Sequence, residues 1–199
     1  MVMTPTLAFF YGGLVRKKNI LSVLMQTFVI LSVISLQWIL FGYSLAFGPD
    51  LGRVIGSFGF AGLNGVGMEP LSGQTIPHQV FMLFQMMFAV ITPALIIGAF
   101  VERIKFSGFL IFTLLWTTLI YDPMAHWVWS PDGWLAKLGA LDFAGGTVIH
   151  ILAGVSALVM ALMLGKRSGL PNGHAPHNLP LAVLGAPFQL EHLLQPRPI

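Results

Sequence analysis

Apolar residues run in long unbroken stretches separated by short polar or glycine-rich segments, and that rhythm predicts the elements. No Asp, Glu, Lys or Arg lies between Lys18 and Asp50, so residues 19–49 supply one full spanning helix. A glycine-rich, polar stretch over residues 48–78 reads as a loop. Residues 79–101 form the second uninterrupted apolar span, and residues 143–165 the last clear one. Residues 106–121 are apolar but short, and need flanking residues to cross a bilayer; residues 122–141, rich in Pro, Trp and Gly, read as a loop.

Both ends depart from this rhythm. Residues 1–15 are apolar and uncharged. At about 1.5 Å per residue they extend roughly 22 Å, short of the roughly 30 Å hydrocarbon core. The basic cluster follows this run instead of preceding it, so the expectation is a spanning helix truncated at its start, not a signal peptide. Residues 182–186 begin a further helix that residues 187–199, with Pro187, Pro196 and Pro198, cannot complete. The expected division is an N-terminal part over residues 1–185 and a divergent tail over 186–199, of the kind a frameshift leaves. Helix is the assignment for every span, because an isolated strand in lipid leaves its backbone unpaired and no period-2 alternation suggests a barrel. The fold class expected is all-α, a polytopic membrane helix bundle.

Composition supports a lipid solvent. Of 199 residues, 56% are hydrophobic and 9% charged, with a mean hydropathy of +0.83, whereas a soluble domain carries about a quarter charged residues. The net charge of +3 is small and sits in short clusters, which does not suggest a nucleic-acid partner. With no cysteine, disulfides, thiolate metal sites and a cysteine nucleophile are excluded. Lys and Arg alternate along the chain: Arg16, Lys17 and Lys18, then Arg103 and Lys105, then Lys166 and Arg167 fall on one side. The opposite connections hold Arg53 and Lys137 but also Asp50, Glu69, Asp122 and Asp132. The positive-inside rule therefore puts the basic loops in the cytoplasm and the long Gly-rich and Trp-rich loops outside.

Few ionisable groups lie within the spans, and each such residue is a functional candidate. His150 is flanked by Val148, Ile149, Ile151 and Leu152. That apolar setting predicts a neutral ring that both donates and accepts hydrogen bonds, either as a structural histidine or as a pore group. Asp142 stands at the start of the same helix, as an N-cap for the free backbone N–H groups, as a ligand contact, or as both. Gly145, Gly146, Ala153 and Gly154 suggest close helix approach. Trp127, Trp129 and Trp134 lie in the outer loop, as interfacial anchors or as indole faces for a cation. Phe84 and Phe88 share one helix face, by packing or by lining the same cation route. His126, His174 and His177 invite a metal reading, but His174 and His177 have no acidic or cysteine neighbours. Asn178 before Leu179-Pro180 reads as a helix start. No cofactor motif, triad or carboxylate pair is visible.

Several of these stretches, taken in order, resemble a known family. Phe10-Tyr11-Gly12-Gly13-Leu14-Val15-Arg16-Lys17-Lys18-Asn19 is similar to the first-helix signature of ammonium transporters, the Amt branch of the Amt/Mep/Rh superfamily. Phe41-Gly42-Tyr43-Ser44-Leu45-Ala46-Phe47-Gly48, Glu102-Arg103-Ile104-Lys105-Phe106-Ser107 and Ala125-His126-Trp127-Val128-Trp129 resemble later signatures. So do Leu141-Asp142-Phe143-Ala144-Gly145-Gly146-Thr147-Val148-Ile149-His150 and Pro176-His177-Asn178-Leu179-Pro180. The resemblance implies the first five-helix half of an inverted-repeat fold, in a homotrimer whose subunits each carry a pore. It implies that Trp129 recruits ammonium by cation–π contact and that Phe84 and Phe88 line and gate the vestibule. Asp142 then organises the recruitment site, and His150 is the first of two hydrogen-bonded pore histidines. Ammonium would be captured outside, lose its proton, and pass as ammonia and charge through an apolar pore in a plasma or inner membrane. The later partner histidine, the vestibule serine and the tail that meets a PII-type signalling protein have no counterpart in the sequence, so this chain by itself is expected to be an incomplete, non-conducting piece.

Two further classes remain. A non-conducting ammonium sensor also belongs to the family, but the fused signalling domain that marks it is not seen. A membrane-embedded enzyme holding a metal with His126, Asp142 and His150 is disfavoured by the outer tryptophans and the scattered ligands, so no enzymatic activity is expected.

Overall fold

The structure is a computed structural model, and it describes residues 3–167 and 176–186. The divergent tail expected over residues 186–199 therefore lies almost wholly outside the described residues, as does His174. Four rods are long and apolar enough to cross a membrane: Lys17–Phe47, His78–Phe100, Phe106–Lys137 and Gly146–Leu164. Helix α1 (Met3–Leu14) precedes them.

The first rod joins α2 (Ile20–Gln37), a π-helical turn at Trp38–Gly42 and α3 (Tyr43–Phe47). Next come a short antiparallel hairpin, Asp50–Leu51 with Ile55–Gly56, and a 3₁₀ segment at Phe58–Leu63, where a loop was expected. Helix α4 (His78–Phe100) forms the second rod and carries Pro93 in its interior. The third rod joins α5 (Phe106–Trp116), a π-turn at Thr117–Tyr121, α6 (Asp122–Trp129) and, past a break, α7 (Trp134–Lys137). The fourth opens with a π-turn at Gly146–Ile151 and continues as α8 (Leu152–Leu164). Helix α9 (Leu179–Gly185) closes the described chain.

The third rod corrects the sequence reading. Helix continues through residues 122–129, where a loop was expected, so Trp127 and Trp129 are helical. Proline removes a backbone donor from an α ladder, and the π-turn at Thr117–Tyr121 ends just before Pro123, re-phasing the ladder around it.

Successive rods run in opposite senses, which gathers their ends into two layers. At one layer Glu102 accepts from the Arg16 backbone at 3.3 Å, from Arg16 Nε at 3.1 Å and from the Asn19 amide. Arg103 donates to the Gly165 carbonyl at the end of α8, and Arg167 to the Gly98 carbonyl near the end of α4 at 2.7 Å. Cationic groups at helix C-termini are favoured by the unpaired carbonyls and the helix dipole. At the opposite layer Tyr43 Oη meets His78 Nε2 at 2.6 Å and His126 bridges Ala46 and Asp50.

The core sits where three rods meet around Trp38. Its indole N–H donates to the Met82 carbonyl of α4 at 3.3 Å, and its ring packs edge-on against Tyr43, Phe47 and Tyr121. Much of the outside is apolar, with Leu21, Phe28, Leu36, Ile111 and Leu119 all exposed. In lipid such a surface is already solvated, so close packing and interhelical hydrogen bonds hold the bundle together. The α1–α9 crossing shows what close packing demands. A Cβ on Gly13 would lie 2.5 Å from the Ala182 nitrogen, and one on Gly185 2.5 Å from the Phe10 nitrogen. Asn178 caps α9 by accepting from Leu181 N–H at 3.0 Å, as expected, and its own N–H donates to the Gly13 carbonyl at 3.0 Å.

Candidate functional site

At the layer opposite Glu102, three elements converge on one cluster. Trp129, the last residue of α6, places its ring 5.7 Å from that of Phe88 on α4. Phe88 in turn meets Phe84 edge-on at 4.9 Å, which the four-residue spacing on one helix face made possible. The Trp129 indole N–H donates to the Asp142 carbonyl at 3.3 Å. Phe88 is buried, whereas Phe84 and Trp129 are half-buried. The result is an aromatic surface whose π faces attract a cation without a full countercharge.

Asp142 holds this cluster to the fourth rod. Its Oδ2 accepts from the backbone N–H of Thr147 at 3.2 Å and of Val148 at 3.0 Å. The capping chemistry is the expected one, but the position differs: Gly145, in the left-handed conformation with φ 76°, occupies the N-cap. Asp142 reaches the first free N–H groups from three residues earlier, because the glycine turns the chain back over its own helix end.

His150 lies in the π-turn at Gly146–Ile151, near the start of the rod. That turn touches both α4 and α6, and the His150 Nε2 atom is buried. Of the five sequence candidates, Phe84 and Phe88 lie on α4, Trp129 ends α6, Asp142 precedes the fourth rod and His150 lies in its opening π-turn, which touches both α4 and α6.

The metal reading separates. His126 is fully buried, with Nδ1 3.0 Å from the Ala46 carbonyl and Nε2 3.0 Å from Asp50 Oδ1, away from Asp142 and His150. The hydrogen bond from His126 is the main reason the Asp50 carboxyl titrates below the usual carboxylate range. Trp127 donates to the Val54 carbonyl at 2.7 Å and packs at a tilt against Trp134 at 5.9 Å, which ties α6 to the hairpin. Sequence reasoning missed the buried pair Gln37 and Asp122, joined at 2.7 Å. Extending the third helix through residue 129 would have exposed Asp122 as an intramembrane carboxyl, since the signal is the residue type at membrane depth.

Among the described residues, four helical rods long and apolar enough to cross a membrane define a polytopic membrane protein. The family model described as Ammonium Transporter Family matches residues 1–189. The ammonium transporter of Bacillus subtilis is 53% identical over 185 residues, covering 92% of this chain and 45% of that protein. The crystal structure of Saccharomyces cerevisiae Mep2 superposes with a TM-score of 0.84 at 40% identity, over 94% of this chain and 43% of that one. A solved structure described as a Sensor Amt Protein gives 0.84 at 30% identity, over 96% and 49%. The chain belongs to the ammonium transporter family. It spans about half the length of the curated relatives it matches.

Proposed function

We propose that these residues form the outer recruitment site and the first wall of the pore in an ammonium transporter. The observation that carries the reading is the continuous set Phe84–Phe88–Trp129–Asp142, with 4.9 and 5.7 Å ring separations and a carboxylate capping the helix that bears His150. Ammonium docks against the Trp129 and Phe88 faces, where cation–π attraction replaces part of its hydration. The Asp142 carboxylate orients the Trp129 loop contact and biases the mouth toward cations. His150 then offers a ring nitrogen for hydrogen bonding as the proton is lost and ammonia enters the apolar passage.

By the positive-inside rule the layer of Arg16, Arg103 and Arg167 faces the cytoplasm and the Trp129 mouth faces outward, in a plasma or inner membrane. A homotrimer and a PII-type signalling partner belong to this reading as properties of the complete transporter that the resemblance implies.

The likeness to the Sensor Amt Protein supports a second reading, ammonium sensing without conduction. Uptake separates the two. In cells lacking their own ammonium uptake, the complete transporter that includes this chain should restore it. Trp129→Leu should raise the ammonium concentration for half-maximal uptake by about 2- to 30-fold, the equivalent of about 0.5–2 kcal/mol of cation–π attraction. Unchanged uptake in Trp129→Leu removes the recruitment role, and binding without uptake in the wild type selects the sensor.

A further inference from the structure

Asp122 is an aspartate with no exposed surface, inside a rod that crosses the membrane. Its Oδ2 accepts from Gln37 Nε2 at 2.7 Å, and the same amide nitrogen lies 3.3 Å from Thr118 Oγ1. Gln37 is equally buried. Among the described residues no Lys, Arg or His forms an ion pair with Asp122. Two atoms of this pair are left over: Asp122 Oδ1 and Gln37 Oε1 are buried and lack a hydrogen-bond donor among the described residues. Both are acceptors if the carboxyl is ionised.

An unpaired carboxylate in such a place is strongly disfavoured, and two orphan acceptors add to that penalty. One proton removes both problems. A carboxylic acid and a primary carboxamide are complementary: the amide N–H donates to one carboxyl oxygen while the acid O–H donates to an amide oxygen. Turning the Gln37 amide the other way would set two oxygens 2.7 Å apart, and that contact demands the same proton.

The surrounding backbone is shaped around this pair. Gln37 immediately precedes the π-turn Trp38–Gly42, and Asp122 immediately follows the π-turn Thr117–Tyr121. A Cβ on Gly42 would lie 2.6 Å from Gln37 Oε1, so the glycine makes the room the carboxamide occupies. π-Turns mark functional positions in helices more often than elsewhere, and here one from each rod brackets the same two side chains.

We propose that Asp122 is a resident-proton site: in the membrane it is a neutral carboxylic acid paired with Gln37. As a positioning residue it ties the first rod to the third, seven residues before Trp129. The joint holds the aromatic mouth in place, and because it carries no charge it does not compete for the cation that Trp129 and Asp142 attract. A protonated carboxyl that serves as a hydrogen-bond donor in an apolar site has ample chemical precedent.

The test is infrared difference spectroscopy on the intact protein in lipid nanodiscs at neutral pH. The wild type should show a protonated-carboxyl C=O band that moves in D₂O, disappears in Asp122→Asn and shifts to higher frequency in Gln37→Leu. Asp122→Asn, whose amide N–H replaces the acid O–H, should keep the melting temperature within about 3 °C, while Asp122→Leu should lower it further. Absence of that band in the wild type overturns the proposal. So does a wild-type melting temperature that rises with added lithium, sodium or ammonium and loses that response in Asp122→Asn, which would assign a cation in place of the proton. The Gln37→Leu shift keeps the question decidable if Asp122→Asn fails to fold.

Discussion

Helix α4 and the rod that ends in α8 are equally apolar, yet they live in different surroundings. In α4, 67% of the most apolar window is buried inside the protein; in the Gly146–Leu164 rod the figure is 17%. Ile96 and Ile97 of α4 are fully buried in a helix that packs on α8, α2 and α1, whereas Leu162 and Met163 of α8 are three-quarters exposed. Hydropathy therefore identifies both as membrane helices and says nothing about what each one touches. Lipid and protein interior are alike to an isoleucine, so neighbours are chosen by shape and by the few polar atoms.

The strongest way to break this comparison is truncation on each helix. Ile97→Ala on α4 should cost about 2–5 kcal/mol, because it opens a cavity in a packed interior. Leu162→Ala should cost under about 1 kcal/mol if lipid fills the space. Chemical unfolding of the protein in mixed micelles checks both. Equal losses would mean that the α8 face is covered in the assembled protein.

A smaller effect tests how the fourth rod begins. Asp142→Ala removes the acceptor for two backbone N–H groups and should cost about 0.5–2 kcal/mol. Asp142→Asn keeps an acceptor oxygen and should recover most of that stability. If the carboxylate charge also draws ammonium to the mouth, Asn should still weaken uptake at low ammonium. Stability and uptake that return together would reduce Asp142 to a cap.

The smallest expected effect concerns the residue just beyond α4. Burial raises the pKa of the Glu102 carboxyl, but hydrogen bonds from Arg16 and Asn19, with the Arg16 charge, outweigh it and hold the group below the usual carboxylate range. A carboxyl whose folded pKa is depressed binds fewer protons folded than unfolded. Its contribution is present above the unfolded value of about 4.3 and fades as pH falls through the lower folded value. Melting temperature should therefore drop from about pH 5 downward in the wild type and less steeply in Glu102→Gln. Parallel curves would remove Glu102 as a source of acid lability. Glu102 also holds a left-handed backbone, φ 68°, which costs an L-residue about 1–2 kcal/mol and persists because the side chain is anchored.

Much of this molecule was legible in the sequence. Unbroken apolar runs located the first, second and fourth rods to within a few residues, because a membrane helix must exclude charge over its whole length, whereas the third runs on past residue 121. The residue types and order from Phe10 to Pro180 pointed to the family, and Phe84 and Phe88 were placed on one face by helical spacing alone. The misreadings share one cause. Pro123 and the tryptophans looked like loop composition, but a π-turn on one side and buried partners on the other keep residues 122–129 helical. Asp142 looked like an N-cap, but the left-handed Gly145 takes that position.

By itself, then, the sequence determined the apolar character of the long helices and the chemistry available along each, since these depend on residue type along a line. Only the tertiary structure decided that Trp129 packs against Phe88, that His126 is committed to Ala46 and Asp50, and that Gln37 and Asp122 share one buried joint. Those pairings join residues 41 to 85 positions apart, and in an apolar solvent no sequence periodicity encodes which polar atoms will find each other.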